Sequence, residues 1–342
     1  MLETTWFVLW GLLWAVYFVL DGFDFGMGTL LPFLAKNDEE KRIIYNAAGP
    51  YWDGNEVWLI TAGGVTFAAF PLAYATMFSA LYAPLLILLF ALIFRAVSFE
   101  FRNKKDCPQW RKFWDACQFL GNFLPALLLG VAFANLFMGI PIDGNGVYHG
   151  NIIKLLNPYG LAGGIFFVLI FCMHGALWLA LKSEGDIHER AVGAAQVVWP
   201  LVLAVALLFL ALTAFYTNLY ANYAEHPTLL IFPILAVASL LTVRVMIWAD
   251  NLLGAWFFSA LFIITVTFFG VLGMYPGIII SSIDPAYSVT VFNGASSQLT
   301  LKIMLGVTLC CIPVVIAYQA WVYYTFAHKV TPESLQKDDH AY

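Results

Sequence analysis

The sequence predicts an all-α, polytopic membrane protein: helical bundles of nine transmembrane helices, with the N-terminus outside and the C-terminus cytoplasmic. Three observations carry this. Of the 342 residues 62% are hydrophobic and only 11% charged, with a mean hydropathy of +0.82. The apolar runs are too long for soluble core helices, and they lack the ten-residue alternation of a membrane barrel. Finally, fourteen of the sixteen Lys and Arg residues fall on one side of the alternating spans, with only Lys154 and Lys302 on the other. The basic side is therefore expected to be cytoplasmic.

The spans are expected at about 5–34, 50–70, 75–95, 114–140, 159–181, 192–217, 228–248, 254–276 and 301–327, within one integral membrane domain over residues 1–342. The first run lacks a basic leader and is too long for a signal peptide, so it reads as a retained span. Lys36, Lys41 and Arg42 separate it from the second. The third ends at Arg95, counted here among the cytoplasmic basic residues with Arg102, Lys104, Lys105, Arg111 and Lys112. Lys182 and Arg190 lie between the fifth and sixth, and Arg244 near the end of the seventh. The longest outer segment, about 276–300, precedes the last span and carries Asp284. The 12 Trp and 16 Tyr suit interfacial belts. Gly63–Gly64 and Gly163–Gly164 read as places of close helix packing. The five cysteines form no CxxC pair, so no disulfide framework is expected.

Acidic residues interrupt two of these spans. A carboxylate inside a membrane costs about 3 kcal/mol or more, so it is a functional candidate in need of a partner. Asp21 and Asp24 are three residues apart and share a helix face, with Gly28 nearly in line. Gly22 and Gly26 form a GxxxG on another face. Asp53 and Glu56 repeat the spacing at the cytoplasmic end of the second span. Asp24 lies deeper, roughly 18 Å above Lys36 on a straight helix. A ladder from Asp53 and Glu56 to Asp24 and Asp21 would carry protons inward from the cytoplasm. The bland alternative is that they are packing groups, protonated or paired with Trp52, Asn55 or a neighbouring helix.

Of the six histidines only His174 lies clearly inside a span. A bis-histidine haem needs two facing ligands, and a copper or di-iron site needs a cluster. A lone membrane histidine is more often hydrogen-bonded to a neighbour, so His174 is not read as a haem ligand and no metal site is expected. No phosphate loop and no nucleophile triad occurs, so no catalytic residue is assigned.

Four stretches resemble subunit II of the cytochrome bd family of quinol oxidases: LDGFDFGMG at 20–28, GPYWDGNEVWLITAGG at 49–64, MHGALWLALKSEGDIHERA at 173–191 and YPGIIISSIDPAYSVTVFNGASSQLT at 275–300. The resemblance runs from end to end. It implies a non-haem subunit of a bacterial cytoplasmic-membrane complex that oxidises quinol and reduces dioxygen to water. The isolated chain is not expected to be active. Haem b (two) and haem d, or a third haem b, would sit in partner subunit I. A small single-helix accessory subunit, membrane lipids and a structural quinone or lipid are further partners it admits; nucleic acid is not. Carried over by position, Asp53 matches the acidic residue of a proton path toward the oxygen-reducing haem, with Asp24 and Asp21 as companions. Glu56 stands where relatives carry Glu or Gln. Trp58 would border an oxygen path or serve packing, and Asp284 and Lys302 would order the outer loop. Two other readings compete: a proton-coupled secondary transporter using the same carboxylates, and a scaffold in which they are inert.

Overall fold

The computed structural model describes residues 1–337 and 342. Its spine is α1 (Leu2–Leu34), an uninterrupted apolar helix with Pro32 in its last turn. A short amphipathic helix follows, α2 (Asp38–Ala48). Asn37 caps it by accepting from the Glu40 amide at 2.8 Å, and Asp38, Glu39 and Glu40 occupy its first turn, where the helix dipole favours negative charge. Next come α3 (Trp52–Ala69) and α4 (Pro71–Ala80). They are parted at Phe70, where Pro71 opens the new helix. The chain continues through α5 (Tyr82–Phe101), α6 (Pro108–Met138), the one-turn α7 (Ile152–Leu155), α8 (Pro158–Lys182) and α9 (Gly185–Tyr216). Then follow α10 (Leu219–Glu225), α11 (Ile231–Trp248) and α12 (Leu252–Met274). A small hairpin, β1 (Gly277–Ile279) with β2 (Val289–Thr290), precedes α13 (Gln298–Thr325) and α14 (Pro332–Lys337).

Eight helices among the described residues are long and apolar enough to cross a membrane: α1, α5, α6, α8, α9, α11, α12 and α13. The expected second span coincides with α3, whose 18 residues include Asp53 and Glu56; it is not among the eight. The expected third span is broken at Leu81 into α4 and α5, and α5 runs past Arg95 to Phe101. Arg95 is thus no loop residue. It sits inside the helix and is 0% exposed. The sequence reading ended the span there because an arginine normally flanks a span, whereas this one has buried acidic partners.

α1 packs against α3, α6, α8, α12 and α13. Its approach to α8 is at backbone distance. A Cβ on Gly26 would lie 1.8 Å from the Phe171 carbonyl oxygen, and one on Gly175 would lie 2.5 Å from the Met27 nitrogen. Gly163 and Gly164 likewise press α8 onto α6 at Gly130 and Leu127. Gly63 and Gly64 do not fit their expected role, since a Cβ on either meets nothing within 4 Å. They border an open groove between α3, α4 and α5 lined by Trp10, Phe67 and Tyr82. α13 is the least embedded helix: its one buried residue among those described is Leu301, whose carbonyl accepts from Trp6 Nε1.

At the end of the bundle rich in Lys and Arg, Arg102 donates to Asp115 (2.7 Å) and Asp38 (2.6 Å), pinning α2 to α5 and α6. Burial acts to raise the Asp38 pKa, but Arg102, Arg111 and Lys41 outweigh it and hold the carboxyl below its usual range. Asp284 accepts from the Ala286 amide and shapes the turn between β1 and β2.

Gly26→Leu is expected to abolish accumulation of the folded chain in membranes, whereas Gly193→Leu, with open space around it, leaves the level unchanged on an immunoblot. A depressed carboxyl pKa stabilises above the unfolded value, about 3.9, and that stabilisation is lost as pH falls through the folded one. Docking of α2 is therefore expected to be constant through neutral pH and to weaken only in acid, and Asp38→Asn removes that acid dependence. Hydrogen exchange of residues 38–48 across pH reads it.

Candidate functional site

An arginine buried in a membrane bundle must be neutralised, and Arg95 meets two carboxylates. Nη1 donates to Asp21 Oδ1 at 2.7 Å, and Nη2 to Asp21 Oδ2 at 3.2 Å and to Glu56 Oε2 at 2.7 Å. The guanidinium also lies over the Phe25 ring, 4.8 Å from its centroid. Only guanidinium presents the fork that this two-oxygen contact with Asp21 requires. Asp21 and Arg95 are wholly buried, while Glu56 is partly exposed. The cluster welds α1, α3 and α5.

One turn further along α1, Asp24 enters a second network. Asn55 Nδ2 donates to Asp24 Oδ2 (2.8 Å) and to the Leu20 carbonyl (3.0 Å). Its Oδ1 accepts from Tyr323 OH (2.9 Å) and Gln319 Nε2 (3.2 Å), both on α13. Trp58 Nε1 donates to Gln319 Oε1 at 2.8 Å. Asp24 Oδ1 is buried with no partner among the described residues. Asp24 therefore keeps one oxygen free to carry a hydrogen, and Asn55 links it to the least embedded helix of the chain. Lys182 closes this region at the basic end. Its ammonium donates to Tyr51 OH at 2.7 Å and to the Phe326 carbonyl, and Tyr51 stacks obliquely on Tyr323, 4.6 Å between centroids.

Three of the four candidate carboxylates, Asp21, Asp24 and Glu56, converge. Asp53 does not join them. It is exposed in the first turn of α3, on the face turned away from α1, and makes no hydrogen bond or ion pair with the described residues. Trp58 is buried and ties α3 to α13. His174 has both ring nitrogens engaged, Nδ1 with Ser259 Oγ (2.5 Å) and Nε2 with the Val19 carbonyl (3.1 Å), and it stacks on Trp256. Neither nitrogen of His174 is free for a haem iron. Among the described residues no three His, Cys, Asp or Glu side chains could hold a metal ion.

Sequence reasoning missed Arg95, Gln319 and Tyr323 as members of the site, and took Asn55 only as a packing partner. Arg95 did leave a signal: the apolar run continues beyond it through Ala96, Val97 and Phe99, so the arginine is embedded rather than flanking. Gln319 and Tyr323 left none, because polar residues near a helix end look like interface residues.

Fold and site together define a multi-pass helical membrane subunit with a buried ionic cluster leading to its least covered helix. Its family follows from comparison with known proteins. The family model for cytochrome bd terminal oxidase subunit II matches residues 2–326. Cytochrome bd ubiquinol oxidase subunit 2 of Bacillus subtilis is 37% identical over 336 residues, covering 96% of this chain and 97% of the relative. Cytochrome bd-I ubiquinol oxidase subunit 2 of Escherichia coli K12 is 35% identical, covering 99% and 98%. A chain from the structure of bd oxidase from Geobacillus thermodenitrificans superposes with a TM-score of 0.80 at 15% identity, over 95% of this chain and 98% of that one, which shows a common fold. The chain belongs to the cytochrome bd terminal oxidase subunit II family, and as such is a multi-pass subunit in the bacterial cytoplasmic membrane. The transporter reading is not favoured, since the family model and the relatives are those of an oxidase subunit.

Arg95→Leu leaves Asp21 buried and unpaired and is expected to cost about 3–5 kcal/mol. Arg95→Lys keeps the charge but loses the fork, and should cost less. Denaturant titration of the purified complex, followed by haem release, orders the two.

Proposed function

We propose that this chain conducts protons from the cytoplasm to the oxygen-reducing centre of its complex and stabilises the haem-bearing subunit I. The reading assigns the complex the oxidation of quinol and the reduction of dioxygen to water, which consumes four protons and four electrons per dioxygen. It places two haems b, with haem d or a third haem b, in subunit I. It also takes the chain as nine spans, α3 with α4 forming part of the second and third, the N-terminus outside and the basic end cytoplasmic. A small single-helix accessory subunit and a bound quinone or lipid remain compatible with it.

The observation that carries the proposal is Asp24. It is buried at mid-helix, has one unpartnered oxygen, and reaches Tyr323 and Gln319 on α13 through Asn55. A carboxyl that gains and loses one proton needs an oxygen free to bear it. Asp21 and Glu56, held by Arg95, are suited instead to balancing charge. α13 and the outer face of α3, barely covered within the chain, are the surface offered to subunit I. Asp53 lies on that face, at the end where protons would enter. Trp58 serves packing, holding α13 in register.

Asp24→Asn, in a complex purified by a tag on this chain, is expected to lower quinol oxidase turnover about tenfold. That is less than the ~10² typical of losing a positioned proton donor, because water substitutes in part. Asp53→Asn should also lower turnover. Haem content, read from a dithionite-reduced minus oxidised spectrum, should be unchanged in both. Full turnover in Asp24→Asn would sink the reading.

A further inference from the structure

α6 carries a file of polar residues that the route above does not use. Asp115, Gln118 and Asn122 stand at i, i+3 and i+7, on one helix face, and are only 8%, 4% and 0% exposed. At the outer end, the Asp115 carboxylate accepts from Lys41 Nζ (2.8 Å) and Arg102 Nε (2.7 Å), at the basic end of the bundle. At the inner end, Asn122 fills the notch left by Gly28 on α1, where a Cβ would fall 2.0 Å from its amide nitrogen. Gly28 is one turn from Asp24. Beside it, a Cβ on Gly121 would sit 2.8 Å from Arg95 Cβ, so α6 touches α5 at the arginine itself.

Four buried polar atoms on these three helices have no partner among the described residues: Gln118 Oε1, Asn122 Oδ1, Thr29 Oγ1 and Arg95 Nε. They come from α6, α1 and α5. Asn122 Nδ2 is already committed to the Gln118 carbonyl at 2.7 Å, which leaves its oxygen free. A buried polar atom left unpaired costs about 1–3 kcal/mol, and native proteins meet such a cost with ordered water that finds two to four polar partners. Two amide oxygens that accept, one guanidinium N–H that donates and a hydroxyl that does either make a suitable set.

We propose that ordered water fills this α1–α5–α6 junction and links Asp115 to the Asp21–Arg95–Glu56 cluster, forming a second proton entrance independent of Asp53. A proton enters by hopping: each water gains one O–H bond from its neighbour and releases another inward, so the file ends as it began and the proton is passed beside the cluster to Asp24, whose Oδ1 is open to bear it. Amide oxygens favour the excess positive charge in transit. Arg95 does not bar it, because Asp21 and Glu56 outnumber its single charge and the ionised cluster is net negative. The proposal rests on the proton-conducting reading and on the basic end being cytoplasmic.

The test compares Gln118→Leu/Asn122→Val, Asp53→Asn and their combination in the intact complex. Two readouts are used: turnover, and the proton uptake that follows an oxygen pulse, recorded with a pH dye on the cytoplasmic side. Parallel entrances predict that the combination falls at least about fivefold below Asp53→Asn alone in both readouts, a coupling within the usual range for interacting sites. A combination equal to Asp53→Asn overturns the second entrance. If the apolar pair loses haem or fails to accumulate, Gln118→Glu/Asn122→Ser, which keeps groups that bind water, decides the matter. In the Asp53→Asn background it should retain the uptake that Gln118→Leu/Asn122→Val removes, and equal uptake in the two pairs overturns the proposal. Asp24→Asn separates the two levels. If it is impaired while the α6 variants match their parents, only the second entrance fails; if it has full turnover, the underlying reading fails as well.

Discussion

Arg95 is the constraint from which the rest of the site follows. A guanidinium with no solvent exposure inside an apolar helix is tolerable only with carboxylates at hydrogen-bond distance, and these come from two other helices. Its fork fixes Asp21 on α1, and its second nitrogen fixes Glu56 on α3. Once those two registers are set, Asn55 on α3 must face Leu20 and Asp24 on α1, as it does. The second network then extends through Asn55 to α13. One buried cation thus determines which carboxylate is left with an uncommitted oxygen.

α1 can hold its acidic-site contacts because its glycines let the neighbouring helices approach closely. Gly22 and Gly26 bring α8 so close that no Cβ fits, and Gly28 admits Asn122 of α6. Dispersion contacts at this range, rather than a hydrophobic drive that lipid would weaken, hold membrane helices together. Close packing also fixes the height of α1 relative to α6 and α8. A change of one methyl group at Gly26 would shift Asp21 and Asp24 against Arg95 and Asn55.

Much of this was legible in the sequence. The helical membrane class and the depth of Asp21 and Asp24 followed from hydropathy and spacing. So did the separate glycine face and the isolation of His174. The rest depended on information that hydropathy does not hold. A window sums residues, so it ended the third span at Arg95 and could not weigh α3, whose charged first turn lies beside an apolar remainder. The break at Phe70 falls where the second span was expected to end, just before Pro71, but no Gly or Pro adjoins Leu81 to announce the next one. Gly63–Gly64 and Gly163–Gly164 look alike as strings, yet one pair touches a helix and the other faces open space, because contact depends on which side of the helix the neighbours occupy. The family motifs surround Asn55 and Asp24, but Gln319 and Tyr323 lie far away in sequence and meet them only through the fold.

The separation of Asp53 from Glu56 bears most directly on mechanism. Three residues on a helix place two side chains near one another along the axis, about 4.5 Å apart in rise, yet some 60° apart in direction. On α3 that difference divides an exposed face from the interface with α1: Asp53 lies outside and Glu56 reaches Arg95. A proton on Asp53 therefore cannot pass straight down a row of carboxylates. On the proposed route it would either travel along the surface offered to subunit I or cross through water to the buried cluster. The first course would suit an acidic residue that makes no hydrogen bond or ion pair with the described residues, since an internal hydrogen bond would hold it away from that surface. The second would need polar groups between Asp53 and Arg95, and the described residues put such groups instead on α6, at Gln118 and Asn122. The polar atoms of this chain are thus better placed to serve two separate approaches than a single ladder.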